Sequence, residues 1–136
     1  MATSLFPKEM LSASLSIDSI KAKLTWFELQ FHELHWQTFG LGVHQAIGDA
    51  YDTVFDLKDE IVEQMMGYSN TRVKTTPVDP IKNYSEGLPL QIVSECINFA
   101  KQLQDFGKAN NMPGIENLSQ DLSGKMARIK YRLTQS

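Results

Sequence analysis

The stretch SNTRVKTTPVDPIKNYSEGLP, residues 69–89, separates two pairs of amphipathic segments and decides which helical fold the chain can adopt. It contains three prolines, and it is much longer than the usual link between neighbouring helices. We expect it to be mainly a connection, with one short helix near residues 79–84. A link of this length lets the chain return along a whole bundle before the third helix begins.

Apolar residues recur at helical spacing in four segments: near residues 16–38, near residues 43–68, after Pro89 and after Pro113. The first of these helices begins near Ser16 or as early as Pro7. No alternating run of β-branched residues predicts a strand. The links GLG (40–42) and NNMPG (110–114) are short enough to make antiparallel neighbours. The sequence therefore predicts an all-α fold, a four-helix bundle with one long crossover between helices 2 and 3, which is the connectivity of ferritin-like folds.

Length and composition limit the class of protein. A chain of 136 residues suits one domain, here residues 1–136, and no apolar run approaches the roughly 20 residues that span a bilayer. The N-terminal segment lacks the pattern of a signal peptide, and the single cysteine, Cys96, falls on the core side of the third helix, where a buried inert thiol is expected. We expect a cytoplasmic protein with no membrane contact. A net charge of −3 argues against a wholly basic, nucleic-acid-binding surface.

All three histidines lie within FHELHWQTFGLGVH, residues 31–44. Glu28, His32 and His35 follow the spacing i, i+4, i+7, which places them on one face of the first helix. Imidazole and carboxylate together suit iron, zinc, manganese or copper, so this face is a candidate metal site. The alternative is a boundary face whose histidines are half-buried and hydrogen-bonded, and the spacing alone leaves both interpretations open.

The second helix carries an acidic stripe opposite its core face, formed by Asp52, Asp56, Asp59 and Glu63. Between the stripe and the core lies a second apolar face, made of Tyr51, Phe55, Val62 and Met66. A monomeric bundle has little reason to keep such a face, so we expect a subunit contact beside the acids. Across a two-fold axis, carboxylates of one subunit would meet histidines of the other, and a metal ion would relieve the repulsion among them.

These residues together resemble the Dps family of mini-ferritins. The resemblance rests on the "HW" pair His35–Trp36, a short glycine-containing link, a further histidine at His44, and then Asp59 and Glu63 four residues apart. It is strongest over residues 26–68. In that family the binding site lies between two-fold-related subunits, twelve subunits form a hollow shell, and ferrous iron is oxidised, preferentially by hydrogen peroxide, and stored as a ferric core.

By this resemblance His35 and Asp59 are terminal iron ligands, Glu63 is the bridging carboxylate and His44 is a ligand of a second iron position. Trp36 is implied to be a nearby aromatic residue that passes an electron. His32 and Glu28 are additional candidate ligands, and zinc or manganese are alternatives to iron. The implied partners are copies of the same chain, in a dodecamer built from two-fold dimers, together with ferrous iron and peroxide.

The sequence departs from the family pattern at the second iron position. Gly48 stands where the family commonly has an acid, and Asp49 follows one place later. This departure favours a rival interpretation, a catalytically silent shell protein. A third interpretation is weak DNA binding through the basic C-terminal segment, which contains Lys125, Arg128, Lys130 and Arg132 and no acid. The simpler interpretation of these cations is that they complement the dipole at the end of the last helix.

Overall fold

The computed structural model describes residues 15–135, and these residues form four helices and no strand. The helices are α1 (Ile17–Gln37), α2 (Leu41–Ser69), α3 (Leu88–Ala109) and α4 (Pro113–Leu133). Helix α1 packs against α2 and α3, and α4 packs against the same two helices. The predicted four-helix bundle is confirmed. The predicted start of the first helix near Ser16 is confirmed too, whereas its possible extension to Pro7 lies outside the described residues.

Local sequence signals explain where the helices begin. Ser16 caps α1 through a capping box, since its hydroxyl accepts from the Ser19 backbone N–H at 3.1 Å and the Ser19 hydroxyl accepts from the Ser16 N–H at 2.8 Å. Pro89 and Pro113 stand in the first turns of α3 and α4, where a missing N–H does no harm. Gly40 precedes α2 with φ of 91°, a conformation that glycine adopts without strain.

The long connection lies along α1 from its beginning to its end. The Lys74 N–H donates to the Asp18 carboxylate at 2.8 Å, the Trp26 indole donates to the Pro80 carbonyl at 3.1 Å, and the Tyr84 N–H donates to the Gln37 side chain at 2.6 Å. Because the connection ends near the C-terminus of α1, helix α3 starts there and runs antiparallel to α1. The chain therefore makes the single long crossover that the sequence predicts.

The expected short helix at residues 79–84 is wrong, because this segment has no regular secondary structure. Gln30 is fully buried, and its side-chain amide donates to the Lys82 carbonyl at 2.9 Å and accepts from the Lys82 N–H at 2.9 Å. These bonds satisfy the Lys82 backbone groups that a helix would have used. The crossover is therefore fixed by side chains of α1 and not by local helical bonds.

The core lies between the four apolar stripes that the sequence predicts. Its largest fully buried side chains include Phe27, Phe31, Ile47, Ile61, Ile92 and Leu122. Cys96 is also buried, and this burial raises the pKa of its thiol, an effect that nearby Lys23 only partly opposes. The predicted burial of Cys96 is therefore confirmed. None of the helices in residues 15–135 is long and apolar enough to cross a membrane.

Candidate metal-binding groove

An open groove of about 670 Å³ lies where the end of α1, the start of α2 and the end of α4 meet. All three histidines line it, together with Asp49, Asp52 and Arg132. Only the three-residue turn 38–40 separates α1 from α2, so this antiparallel pair places His35 beside His44. The groove therefore contains all three histidines that were predicted as candidate ligands.

His35 and His44 hold each other through reciprocal hydrogen bonds. The His35 Nδ1 atom lies 2.9 Å from the His44 carbonyl oxygen, and the His44 Nδ1 atom lies 2.8 Å from the His35 carbonyl oxygen. A carbonyl only accepts, so Nδ1 carries the hydrogen in both rings. In the neutral imidazoles both Nε2 atoms then have a free lone pair, which is the form that binds metal ions.

The two imidazole rings also stack, with centroids 3.9 Å apart and planes inclined by 19°. The lone pair of Nε2 lies in the plane of its ring. Two nearly parallel rings cannot aim both lone pairs at one ion, so the two imidazoles in this arrangement do not chelate a single ion.

Gly48 provides the space that His35 occupies. A Cβ atom at residue 48 would lie 2.8 Å from the Cε1 atom and 2.9 Å from the Nδ1 atom of the His35 ring. Contacts this short are not tolerated, so any side chain here would displace the ring. The absence of an acid at this position therefore has a steric reason, because the imidazole fills the place that a side chain would need.

His32 belongs to a row of stacked aromatic rings on the outer surface of α1 and α2. Its ring centroid lies 3.9 Å from that of Trp36 and 4.0 Å from that of Tyr51, and Tyr51 in turn lies 5.9 Å from Phe55. Trp36 is 64% exposed and Phe55 is 54% exposed. We call these four residues the aromatic face. His32 and Tyr51 are half-buried and also line the groove, whereas Trp36 and Phe55 extend the face to the exposed surface beside it.

The remaining predicted ligands lie elsewhere in the single chain. Asp59 and Glu63 are exposed on α2, and Asp59 is fifteen residues beyond His44, or about 22 Å along the helix. These acids therefore cannot share an ion with His44 of the same chain. Glu28 pairs with Lys58, whose Nζ atom lies 2.7 Å from Oε1 of Glu28. This ion pair was not predicted from the sequence, although Lys58 is the only cation within the acidic segment 49–63.

Arg132 is a groove residue that the sequence analysis assigned only to the basic C-terminal segment. Its guanidinium donates to the Asp49 carboxylate at 2.5 Å. Lys125, from the same segment, pairs with Asp121 at 3.3 Å. Two of the four cations proposed to contact DNA thus have acidic partners, which leaves fewer of them for phosphates.

The described part of the chain contains no group of three or more histidine, cysteine or acidic side chains able to hold a metal ion together. In this chain the imidazoles of the groove and the carboxylates of Asp59 and Glu63 stand apart from one another.

Comparison with known proteins gives one match. Residues 35–133, well over half of the chain, match the family described as "Family of unknown function (DUF5856)". No curated protein matches the chain, and no solved structure does. The matched range includes His35, His44, Asp59 and Glu63, whereas Glu28 and His32 precede it. By this match the chain belongs to the DUF5856 family of unknown function.

Proposed function

We propose that this protein is an iron-binding mini-ferritin of the Dps type. Two-fold-related subunits complete its metal sites, ferrous iron is oxidised there, and the product is held inside a hollow homo-oligomeric shell in the cytoplasm. His35 and His44 are the imidazole ligands, and Asp59 and Glu63 of the partner subunit supply the carboxylates.

The observation that carries the proposal is the reciprocal His35–His44 pair beside an exposed aromatic face. The bonds of 2.9 Å and 2.8 Å to main-chain carbonyls fix the rings in the metal-binding tautomer. Both histidines line the groove, and neither Nε2 atom has a hydrogen-bond partner in the described part of the chain. The exposed Trp36 and Phe55 next to them supply an apolar surface for a second chain.

The positions along α2 support a two-fold contact. The point midway between His44 and Asp59 falls at Tyr51–Asp52, and the point midway between His44 and Glu63 falls at Thr53–Val54. If two α2 helices pack antiparallel about an axis at this level, each His44 lies level with the partner's Asp59 and Glu63. The axis then passes close to Tyr51 and Phe55, so the aromatic face is buried at the centre of the contact.

Charge also supports a cation at this contact. Four exposed acids of α2 would approach the partner subunit, namely Asp52, Asp56, Asp59 and Glu63. Burial of unpaired carboxylates is strongly unfavourable. Bound cations neutralise them, and imidazole with carboxylate suits ferrous iron, with zinc or manganese as alternatives.

The chemistry requires one electron from each ferrous ion. Hydrogen peroxide accepts two electrons and two protons and becomes two water molecules, so two ferrous ions become ferric for each peroxide. Carboxylates stabilise the ferric product because they are hard anionic ligands. Trp36, one residue from His35, is the proposed aromatic electron donor when only one ferrous ion is present.

A silent shell is the second candidate function, and the Asp49–Arg132 contact favours it. Asp49, the groove acid that directly follows Gly48, is already paired with a guanidinium at 2.5 Å. Such a protein would assemble through the aromatic face without oxidising iron faster than buffer does.

The test is anaerobic titration of the metal-free protein with ferrous iron by calorimetry, followed by peroxide and the ferric absorbance. We expect saturable binding and rapid oxidation, and loss of both in His35→Ala, Asp59→Ala and Glu63→Ala with the assembly intact. Glu60→Ala is the matched control, since Glu60 is exposed on the same helix but belongs to none of the proposed ligands. Unchanged iron binding in all three ligand variants would refute the assignment.

A mixing experiment tests whether the site is shared between subunits. His35→Ala and Asp59→Ala chains are unfolded together and refolded as a mixture. Random pairing restores a complete site at about a quarter of the positions, because each mixed dimer has one intact combination. No recovery of binding would place all the ligands in one chain or exclude the site altogether.

A further inference from the structure

Two rows of opposite charge lie side by side on the outer surface of α2 and α4. In each row the residues follow one another after three and then four positions, which keeps them on one side of their helix. All six side chains are exposed. We call them the acidic row, on α2, and the basic row, on α4, made of Asp49, Asp52 and Asp56 and of Lys125, Arg128 and Arg132 respectively.

Two contacts fix how α2 and α4 lie against each other. The Arg132 guanidinium donates to the Asp49 carboxylate at 2.5 Å near one end, and the Gly114 N–H donates to the Tyr68 hydroxyl at 2.9 Å near the other. The two helices are therefore antiparallel, and both rise about 1.5 Å per residue. Each member of the acidic row consequently has a member of the basic row at its own level, to within about 3 Å along the helices.

Only one of these level pairs is closed within the chain, the pair of Asp49 with Arg132. Lys125 contacts Asp121 of its own helix instead. Side chains of both rows line an open cleft of about 240 Å³ between the two helices. In the described residues no ion pair involves Asp52, Asp56 or Arg128. The two rows thus keep unpaired charges of both signs at matching levels.

A second copy of the chain can pair both rows at once. If two copies face each other about a two-fold axis parallel to the helices, every residue keeps its level while the two rows exchange sides. Asp52 then faces the partner's Arg128, and Asp56 faces the partner's Lys125. Each pair occurs twice because of the symmetry. An axis perpendicular to the helices would instead place acids over acids, which is unfavourable.

We propose that the acidic and basic rows form a salt-sensitive contact between copies of this chain, separate from the contact at the aromatic face. Exposed ion pairs are individually weak, so this contact does not hold two single chains together. It joins dimers that the aromatic face has formed, because several such contacts are then made at once. The inference rests on that proposed dimer but not on its metal site, and Asp59 and Glu63 take no part in it.

The test measures the mass of the metal-free protein by sedimentation velocity in about 0.1 M and about 1 M salt, where charges are screened beyond about 10 Å and about 3 Å. We expect assemblies larger than a dimer at the lower salt and dimers at the higher salt. Arg128→Glu should give dimers at both. Lys130→Glu is the matched control, because it makes the same charge reversal on α4 at a side chain that does not line the cleft, and it should behave as wild type.

An exchange of charges tests whether the rows meet between copies. Asp52→Arg alone should also give dimers at the lower salt, because the new guanidinium faces the partner's Arg128. When Asp52→Arg and Arg128→Glu proteins are mixed, both facing pairs are attractive, and the larger assemblies should return. A pairing that is confined to one chain cannot be restored by mixing two proteins.

The inference is overturned by a mass that does not depend on salt, or by a mixture that contains only dimers. If Arg128→Glu abolishes retention on DNA while the mass stays unchanged, the basic row binds nucleic acid instead of a second copy. Wild-type monomers at both salt concentrations would overturn the proposed dimer as well. Iron titration tests the proposed function separately, because larger assemblies restored by mixing would support the contact even in a protein that binds no iron.

Discussion

The two helical hairpins of this bundle differ in what they leave on the surface. The α3–α4 hairpin exposes mainly charged and polar groups, with pairs such as Lys101–Asp105 and Lys125–Asp121 one turn apart, and Tyr131 is its one large exposed apolar residue in the described chain. The α1–α2 hairpin and its turn expose Leu29, Trp36, Phe39, Leu41, Phe55 and Tyr68. The same hairpin holds all three histidines. One hairpin thus has a mainly polar surface, whereas the other exposes several large apolar side chains.

The largest expected effect is loss of assembly when the aromatic face is charged. Phe55→Asp places a carboxylate at the proposed centre of the two-fold contact, beside acids that already repel, so we expect monomers only. Light scattering coupled to size-exclusion chromatography measures the mass. Tyr131→Asp is the control on the other hairpin and should leave the mass unchanged. If Phe55→Asp keeps the wild-type mass, the aromatic face of the α1–α2 hairpin is not the surface through which the chain assembles.

The groove should be sensitive to a single methyl group. Gly48→Ala moves the His35 ring, because a Cβ atom would lie 2.8 Å from its Cε1 atom. The reciprocal bonds with His44 are then lost, and we expect metal affinity to fall by about tenfold or more, as for other losses of groups that orient ligands. Gly42→Ala is the control, since a Cβ atom there meets nothing within 4 Å. Histidine ring resonances in NMR spectra and metal titrations report the change, and equal behaviour of the two variants would contradict the steric argument.

The crossover should depend on one buried amide. Gln30→Met keeps the side-chain volume but removes both bonds to Lys82, so we expect about 1–3 kcal/mol lower free energy of unfolding. The amide of Lys82 should exchange faster as well. Chemical denaturation and hydrogen exchange measure the two effects. Gln91→Met, at an exposed position of α3, is the control, and an equal loss in both variants would show that the crossover is held by other contacts.

Close packing within the α3–α4 hairpin should also be measurable. A Cβ atom at Gly107 would lie 3.1 Å from the Glu116 backbone nitrogen, so Gly107→Ala forces α3 and α4 apart. We expect a net loss of about 1 kcal/mol, because the steric cost exceeds the gain in helix propensity. Gly124→Ala has open space and should instead stabilise α4 by up to about 1 kcal/mol. Thermal denaturation of the two variants should therefore shift in opposite directions.

The smallest expected effect is a pH dependence of the free energy of unfolding that is due to Cys96. Burial raises the pKa of this thiol in the folded state, so the folded protein binds the proton more tightly than the unfolded chain. The contribution of this thiol to the free energy of unfolding is therefore fully present below the ordinary thiol pKa. It decreases as pH rises above that value, because the unfolded chain then loses the proton while the folded protein keeps it. Between about pH 7 and pH 9 we expect a loss of about 1 kcal/mol that is absent in Cys96→Ala. Denaturation at several pH values measures it, and parallel pH profiles of the two proteins would show that another group is responsible.

The sequence predicted the bundle well because its signals are local and periodic. The apolar stripes, the prolines and the lengths of the links set the helices and their order. The crossover was predicted, but the short helix expected within it was wrong, because the path of residues 79–84 depends on Gln30, a residue 52 positions from its partner Lys82. Gln30 lies near Phe27 and Leu34 on the inward side of α1. A polar residue at such a position indicates a buried side chain that forms hydrogen bonds, and this signal was present in the sequence.

The site was predictable in its residue types but not in its contacts. The concentration of histidines in residues 31–44 pointed to the groove, and His35 and His44 do meet there. Spacing could not reveal that their main-chain carbonyls fix the rings, nor that Lys58 pairs with Glu28. Arg132 was missed as a groove residue because its partner Asp49 is close only through the packing of α4 on α2. The proposed role of Asp59 and Glu63 depends on a second chain and stays a prediction.

The crossover also has a consequence for the order in which the chain folds. Each hairpin forms from contacts between neighbours in sequence, whereas the bonds that fix the crossover to α1 join residues 46 to 56 positions apart. Closing a loop of that size is entropically unfavourable until the helices on both sides exist. We expect the hairpins to form early and the crossover to attach late. During synthesis α1 and α2 leave the ribosome before α3 and α4, so the aromatic face is exposed early and two nascent chains on one messenger RNA have time to pair.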